Sequence, residues 1–271
     1  MSKVYNFRKE RSFTLIELLV VTAIVGILSG LAVIGMAAAA DSARVAKAKN
    51  FAHGIDENLG LSNIGKWNFN SVVSSVAQDS SGKGNDAVLE GNATTTGDTP
   101  AGVGPGEKAI VFDGYYASRL NVGDRPSLKP TEKITISLWF KAFEYNQNYA
   151  YSTLVSSKSN SSSPWPGYLL GVYFDGRLMG KIRIGSDDVY LYGTTQVSLD
   201  KWHHAAFTFD GSMLRMYLDG KKEGENPASG LIVYYSGPND IFIGNDPAVG
   251  GKEFKGIIDN VQIYADSFQG Q

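Results

Sequence analysis

A single carboxylate interrupts the longest apolar run of this sequence. From Phe13 to Ala40 the chain reads FTLIELLVVTAIVGILSGLAVIGMAAAA, and Glu17 is the only charged residue in that run. A carboxylate inside hydrocarbon raises the free energy of a protein by at least a few kcal/mol, so such a residue usually marks a functional site. The position of Glu17 therefore indicates a function for the segment that contains it.

Other residues that could do chemistry lie in the second half of the chain, but their spacing argues against catalysis. His203 and His204 are adjacent, and adjacent strand residues point to opposite faces, so the pair cannot easily share a ligand. The sequence has no cysteine and only one further histidine, His53, which argues against a zinc site or a histidine-based catalytic site. Retaining glycosidases need two carboxyl groups about 5–5.5 Å apart, and the chain has no E-x-D-x-E run that would place them on one strand. We therefore expect that the protein is not an enzyme.

Aromatic residues near Asn, Ser and Asp are the best candidates for a binding site. Aromatic faces stack on sugar rings, and neighbouring polar side chains form hydrogen bonds with sugar hydroxyls. The candidates are Trp165, Tyr168, Tyr190 and Tyr192, and Trp165 comes first because prolines on both sides restrict its loop. The alternative is that most of these rings pack at the edges of a sheet.

The apolar run has the length of a membrane span. As a helix it would be about 42 Å long, more than enough to cross the hydrocarbon core of a bilayer. Lys3, Arg8, Lys9 and Arg11 precede it and would hold the N-terminus in the cytoplasm, with everything after Ala40 on the far side. A cleaved secretory signal is one alternative, but its apolar region has only about 7–15 residues. A plain membrane anchor is the other.

Helical periodicity continues beyond the apolar run. Apolar residues recur at three- and four-residue spacing, namely Ala48, Phe51, Ala52, Ile55 and Leu59. The spacing predicts one helix from Phe13 to about Asn58, ended by Gly60. Its first half is transmembrane, and its second half is amphipathic and packs on a head domain.

After residue 61 the pattern changes to short strands separated by turns. Asp-Gly pairs at residues 113–114, 175–176, 210–211 and 219–220 supply the positive φ angles of tight hairpins. The β-type runs are 109–112, 134–140, 168–174, 181–184, 204–209, 214–218, 241–243 and 257–264. They predict an all-β jelly-roll sandwich after the long N-terminal helix. The expected core includes Trp139, Phe207, Phe209, Tyr217, Val261 and Ile263.

The segment RSFTLIELLV resembles the processing site of type IV prepilins and pseudopilins. The resemblance implies that prepilin peptidase cleaves between Ser12 and Phe13 and methylates the new N-terminus at Phe13. It also implies that Glu17, the fifth residue counted from Phe13, pairs with the terminal amine of a neighbouring subunit. That family normally has glycine before the cut, where this chain has Ser12.

Six segments of the second half are similar to LamG-like, concanavalin A-type jelly-roll domains. They are WNFN, DSSGKGNDAVLEG, IVFDGYYA, ISLWFKA, WHHAAFTFDGSMLRMYLDGK and FKGIIDNVQIY. In this order they span about residues 66–268. The resemblance implies two stacked antiparallel sheets that bind carbohydrate or protein, often with calcium.

Calcium is the one cofactor that the sequence indicates. Calcium takes six to eight oxygen ligands, and residues 79–86, which begin with Asp79, form an oxygen-rich loop loosened by glycine. Asp259 lies in the terminal strand segment, where related domains often bring an acid near the first strand. We expect Asp79 and Asp259 as ligands; the alternative is that Asp79 makes a local turn and Asp259 an ordinary polar contact.

Together these features predict three parts: a leader, 1–12; a pilin-like helix, 13–61, with its membrane span at 13–36; and a LamG-like sandwich, 62–271. The expected function is a pilin-like or pseudopilin subunit of a type IV pilus or type II secretion-like filament with an adhesive or carbohydrate-binding head. Its partners would be prepilin peptidase, other pilin-like subunits, the membrane, and a glycan or surface protein.

The expected location is the bacterial cytoplasmic membrane, crossed once with the head outside the cytoplasm, and then a cell-surface filament. With 25 basic against 27 acidic residues and a net charge of −2, nucleic acid is not expected as a partner. The alternatives are a non-polymerising, membrane-anchored lectin-like protein and, less favoured, a surface glycoside hydrolase.

Overall fold

The computed structural model describes residues 13–100, 106–147, 149–159, 167–234, 239–246 and 251–270. This described part contains one α-helix, α1 (Leu15–Leu59), and two short 3₁₀ helices, Gly60–Ser62 and Pro126–Leu128. The chain divides into two compact units, Met1–Arg44 and Val45–Gln271. The second unit includes the C-terminal residues of α1 as well as every strand.

The described part of the first unit is an apolar helical segment whose side chains are mostly exposed. Leu18, Ile24 and Leu31 are each at least half exposed. Among the described residues, Leu15–Ser62 is the one helical stretch that is long and apolar enough to cross a membrane, with a mean hydropathy of 2.6 and none of that apolar window buried. The predicted helix is confirmed, and it ends at Leu59, directly before Gly60.

The strands follow in short segments from residue 63 onwards. In chain order they are β1 (Asn63–Trp67), β2 (Val72–Val73), β3 (Val76–Ala77), β4 (Ala87–Glu90), β5 (Thr94–Thr96), β6 (Ala109–Asp113), β7 (Arg119–Asp124), β8 (Ile134–Ala142), β9 (Tyr151–Ser159), β10 (Tyr168–Tyr173), β11 (Arg177–Ile184), β12 (Asp187–Gln196), β13 (Trp202–Phe209), β14 (Met213–Leu218), β15 (Lys221–Pro227), β16 (Asn239–Ile243) and β17 (Lys255–Tyr264). Each of the eight predicted runs overlaps one of these strands.

These strands form two antiparallel sheets, which confirms the predicted sandwich. One sheet has eight strands, in the order β15-β14-β13-β8-β17-β6-β5, with β1 also paired to β17. The other has nine, in the order β12-β11-β10-β9-β16-β7-β4-β3-β2. The hairpin between β14 and β15 turns at Asp219 and Gly220, whose φ angles are 50° and 72°. Two consecutive positive φ angles are the turn geometry that an Asp-Gly pair favours.

The main core lies between the two sheets and contains most of the predicted core residues. Phe207, Phe209, Val261 and Ile263 are fully buried there. Trp139 and Tyr217 were predicted in the same core but lie on the other face of the eight-stranded sheet, in separate apolar clusters. Each of the two residues lies between main-core residues along its strand, and the sequence did not show that both faces of this sheet are buried.

Residues 45–59 of α1 cover the outer face of the eight-stranded sheet. Ile55 and Leu59 pack in one cluster with Tyr217, Tyr264 and Phe268. A second cluster joins Ala48 of the helix to residues of the sheet, namely Ala109, Trp139, Trp202 and Ile257. The predicted packing of an amphipathic half-helix on the head is therefore present within the second unit.

Candidate functional site

Two of the predicted ligand-binding tyrosines stack on the outer face of the nine-stranded sheet. Tyr190 and Tyr192 lie two residues apart on the edge strand β12, so both side chains point to one face. Leu191 between them is buried in the main core. The two rings are parallel within 9°, their centroids are 6.2 Å apart, and the residues are 36% and 38% exposed. The pair therefore presents two parallel, partly exposed aromatic rings on this face.

Two further rings extend this surface. The ring centroid of Tyr173, at the end of β10, lies 5.0 Å from that of Tyr192, with an angle of 65° between the rings. Phe174 follows, with its ring centroid 4.5 Å from that of Tyr173, and it is exposed. We call Tyr173, Phe174, Tyr190 and Tyr192 the aromatic row.

Arg177 gives the aromatic row a charged hydrogen-bond donor. Its guanidinium carbon lies 6.0 Å from the centroid of the Tyr192 ring. Asp175 accepts a hydrogen bond from Arg177 Nε at 2.8 Å and holds the side chain in place. Arg177 was not predicted, because only the fold brings β11 between Tyr173 and Tyr192.

Near Tyr190 the site is polar. Asp188 forms ion pairs of 3.3 Å with the buried Lys181 and with Arg183. Burial raises the pKa of Tyr190 and of Tyr192, so both hydroxyls stay protonated at neutral pH and can donate and accept hydrogen bonds. The arrangement can stack on the face of a sugar ring and form hydrogen bonds with its hydroxyls.

Tyr168 does not belong to this site, which corrects its selection as a ligand-binding residue. It is only 1% exposed and lies in the main core. Its hydroxyl donates to the carbonyl oxygen of Leu128 at 3.1 Å, and its ring meets that of Tyr234 edge to face. Tyr168 therefore offers no surface to a ligand. Trp165, the first-ranked candidate, lies outside the described residues.

Tyr173 and Phe174 were also absent from the predicted site. The contact of Tyr173 with Tyr192 crosses β11, so it depends on strand order, which the sequence does not give. One signal was available: the two rings directly precede the Asp-Gly turn at residues 175–176. Aromatic residues beside a tight turn at the end of a strand often remain accessible.

In the first unit, Glu17 closes a capping box with Thr14. The backbone nitrogen and the hydroxyl of Thr14 both donate to Glu17 Oε2 at 2.8 Å. Glu17 N in turn donates to Thr14 Oγ1 at 3.3 Å. The pattern T-x-x-E is the sequence signature of such a helix start, and it was overlooked. Glu17 therefore caps the helix, in addition to the assembly role predicted for it. Phe13 is 80% exposed, and Ser12 lies outside the described residues.

The contacts of Asp79 are those of a turn. Its Oδ1 accepts from the backbone nitrogens of Lys66 and Ser81, each at 2.9 Å. Its Oδ2 accepts from the Ser81 hydroxyl at 2.8 Å and from Asn85 N at 2.9 Å. Four donors thus point at the carboxylate, and a calcium ion would have to replace them. This donor set does not fit a bound cation, and it favours the turn alternative.

Asp259 lies on β17 opposite Trp139 of β8, so it faces the helix-covered side of the sheet. It is fully buried, Oδ1 accepts from Asn260 N at 2.7 Å, and Oδ2 has no hydrogen-bond partner. Burial raises its pKa to about 7, and the nearby charge of Glu107 adds to the effect. Across the described ranges, no three His, Cys, Asp or Glu side chains form a group that could hold a metal ion. Calcium binding by Asp259 therefore stays a prediction, whereas the contacts of Asp79 favour the turn alternative.

The two adjacent histidines make separate structural contacts. His203 Nδ1 lies 2.7 Å from Asp219 Oδ2, whereas His204 Nε2 lies 2.9 Å from the Ser137 hydroxyl. Burial lowers the pKa of His204 to about 4, so its ring is neutral at physiological pH. The expectation that the two rings do not share a ligand agrees with these contacts.

Two family models match the chain, one for each part. The model described as the concanavalin A-like lectin/glucanases superfamily matches residues 113–271. The model described as the prokaryotic N-terminal methylation motif matches residues 7–33, which include Ser12, Phe13 and Glu17. A search of curated protein sequences found no match.

Solved structures share the fold at low sequence identity. The binding domain of Paraclostridial Mosquitocidal Protein 1 has a TM-score of 0.59 and 17% identity over 77% of this chain and 50% of its own. A second match is domain 4 of AbnA, a GH43 extracellular arabinanase from Geobacillus stearothermophilus, in complex with arabinotriose. It has a TM-score of 0.50 and 20% identity over 76% of this chain and 94% of its own. The Ruminococcus gnavus IT-sialidase CBM40 bound to alpha2,3 sialyllactose has a TM-score of 0.51 and 16% identity. That match covers 59% of this chain and 91% of its own. The match covers about half of the mosquitocidal binding domain.

Proposed function

Because this chain belongs to the concanavalin A-like lectin/glucanase superfamily and also carries a prokaryotic N-terminal methylation motif, we propose that it is a pilin-like subunit with a glycan-binding head. The filament would be a type IV pilus or a type II secretion-like assembly. The proposal combines two activities: assembly through the N-terminal helix, and non-catalytic recognition by the sandwich.

The observation that carries the assembly proposal is the exposure of an apolar helix with one acid near its start. Side chains such as Ile16, Leu28 and Ile34 are at least 60% exposed, so this surface needs lipid or other helices around it. Gly26 and Gly30 leave open space at their Cβ positions, which lets neighbouring helices approach closely. In this proposal Glu17 is stabilised by the amine of a neighbour's processed N-terminus.

The proposal implies specific partners for the protein and a series of locations in the cell. Prepilin peptidase would cut between Ser12 and Phe13 and methylate Phe13. Before assembly the chain would cross the cytoplasmic membrane once, with the head outside the cytoplasm. After assembly the head would stand on the cell surface, and because a large sandwich would crowd a dense fibre, the subunit would be a minor or tip-associated one.

Glu17→Gln tests assembly without losing the capping box, because Gln also serves at this position. We expect the variant to insert into the host membrane but to fall at least about tenfold in the sheared filament fraction, where the buried charge pair is missing. Thr14→Val is the matched control, since it removes the capping hydroxyl and keeps the acid. Wild-type filament incorporation of Glu17→Gln, with a loss only in Thr14→Val, would mean that Glu17 acts only as a cap, and it would contradict the assembly role.

The aromatic row carries the proposal for the head. Most of the matched structures named above are binding domains by their descriptions, and in this chain the exposed Tyr190 and Tyr192 give a surface suited to stacking. On a glycan array, the full chain in a phosphocholine detergent should bind at least one glycan. Replacing Tyr190 and Tyr192 by Ala should weaken that binding about tenfold or more.

Tyr115→Ala is the control for the head, because Tyr115 is 71% exposed and lies outside the aromatic row. Wild-type binding in the double variant would reject the aromatic row as the site, and the control should bind like the wild-type chain. Hydrolysis of an array glycan would overturn the assignment of a non-catalytic head.

A non-polymerising, membrane-anchored lectin-like protein is the second candidate. The capping box favours it, because Thr14 already satisfies the Glu17 carboxylate within one chain. The Glu17→Gln experiment separates the two candidates: a stationary anchor would never enter the filament fraction, in its wild-type form or as a variant.

A further inference from the structure

A cleft of about 330 Å³ lies between the amphipathic part of α1 and the sandwich, entirely within the second unit. It is distinct from the aromatic row, which lies on the other sheet. Small-molecule pockets have volumes of roughly 300–1,000 Å³ and combine an apolar lining with a few polar groups. We call this space the helix cleft.

Three aromatic rings form the floor of the helix cleft. Phe51 comes from the helix, Tyr217 from β14 and Phe268 from the segment after β17. The Phe51 ring centroid lies 5.1 Å from that of Tyr217 and 5.2 Å from that of Phe268. Tyr217 and Phe268 are nearly buried, whereas Phe51 is partly exposed, so Phe51 is the most accessible of the three rings.

The rim of the helix cleft is polar and nearly neutral. Asn50, Asn58 and Gln269 contribute amide groups, and none of the ten lining residues is an acid. Lys222 also lines the cleft, but its ammonium group is held by Glu225 at 2.8 Å. The Tyr217 hydroxyl is buried without a hydrogen-bond partner. This lining disfavours a charged ligand, and a wholly apolar one would strip water from the amides without replacing their hydrogen bonds.

We propose that the helix cleft binds a neutral sugar ring of hexose size. One face of a hexopyranose consists of C–H groups that can stack on Phe51, and its hydroxyls can reach the amides of Asn50, Asn58 and Gln269. Because the lining comes from both the helix and the sandwich, a bound ring would also hold the helix on the sheet. This site does not depend on filament assembly or on the aromatic row.

Gly54 allows a sharp test, because it lines the cleft and a Cβ added to it meets no atom within 4 Å. Gly54→Leu should fill the cleft without a clash, and leucine is a better helix former than glycine. His53→Leu is the matched control, since His53 lies next in the helix, with a side chain that is 73% exposed, and does not line the cleft. Melting curves of both variants should show that they fold.

Binding is measured on the full chain in a phosphocholine detergent, which brings no sugar, by saturation-transfer NMR with D-glucose, D-galactose and N-acetyl-D-glucosamine. We expect saturable binding of at least one sugar, weakened at least about tenfold by Gly54→Leu and unchanged by His53→Leu or by the Tyr190/Tyr192 double alanine variant. Wild-type binding in Gly54→Leu, or no saturable binding at all, would overturn the proposal.

Two further outcomes separate this site from the proposed head function. If the double alanine variant loses hexose binding and Gly54→Leu keeps it, the aromatic row is the site and the helix cleft is not. If indole, used as an aromatic probe, binds in the cleft and none of the three sugars does, the assignment to sugars is wrong.

Discussion

The two outer faces of the sandwich differ in what covers them. On the eight-stranded sheet, residues 45–59 of α1 pack on the outer face, and all eight residues of β13 are buried. On the nine-stranded sheet, the described residues place no helix on the outer face, and the edge strand β12 has exposed residues along most of its length. One fold thus has a helix-covered apolar core on one side. On the other side, a small buried cluster of Tyr151, Leu169 and Met179 lies beside the partly exposed aromatic row.

The composition of β13 explains how the eight-stranded sheet accommodates the packed helix. The outer face of β13 carries the small Ala206, which leaves room for Phe51 and Ile55. A strand buried on both faces has a nearly continuous run of apolar or small residues, and β13 reads WHHAAFTF. On the face without the helix, the aromatic row remains accessible to ligands, whereas on the helix-covered face ligand access is limited to the helix cleft.

The largest expected effect comes from breaking the covered face. Ile55 is fully buried between the helix and the sheet, so Ile55→Ala leaves a cavity and should lower the free energy of unfolding by about 2–5 kcal/mol. Urea unfolding of the full chain, followed by tryptophan fluorescence, measures this, because all four tryptophans lie after residue 45.

Tyr192→Ala is the matched change on the uncovered face. Because Tyr192 is 38% exposed, we expect a loss of about 1 kcal/mol or less. Similar losses in the two variants would show that the faces do not differ in their contribution to stability.

The next effect concerns Asp259, a buried acid on the helix-covered face. Its pKa is raised to about 7 in the folded chain, against an ordinary value near 3.8, so the folded state binds the proton more tightly. Stability from this group is therefore present at low pH and lost as pH rises from about 4 to 7. Relative to Asp259→Asn, the wild-type chain should lose about 2 kcal/mol of unfolding free energy between pH 5 and pH 7. A difference that is constant over this range would contradict the raised pKa.

The smallest expected effect is that of calcium. Because four donors already engage the Asp79 carboxylate, melting curves in calcium and in chelator should superimpose. A higher melting temperature in calcium that disappears in Asp259→Asn would instead establish Asp259 as a calcium ligand.

Much of the fold was predictable, because local chemistry determines it. Asp-Gly turns bracket β14, and the three- and four-residue spacing from Ala48 to Leu59 marks the helix face that packs on the sheet. The face of Trp139 and Tyr217 was not predictable, because alternation gives only the period and both faces of their sheet are buried. Tyr168 was misassigned for a related reason: an aromatic residue at a strand start can point inward, and only the sheet pairing decides.

The site was predictable only in part. The spacing of Tyr190 and Tyr192 puts them on one face of a strand, but their neighbours Tyr173 and Arg177 come from other strands. For Glu17 the sequence pattern supports two roles, a capping box with Thr14 and an assembly acid, and one chain contains the partners for only the first. The second role needs another subunit, whose contacts no single chain can show.

Mass spectrometry of the N-terminus of the native protein, isolated from its host, tests the pilin-like role most directly. We predict a chain that begins with N-methylated Phe13 and has lost its first twelve residues. A native chain that still begins at Met1, with no terminal amine near Glu17, would contradict it.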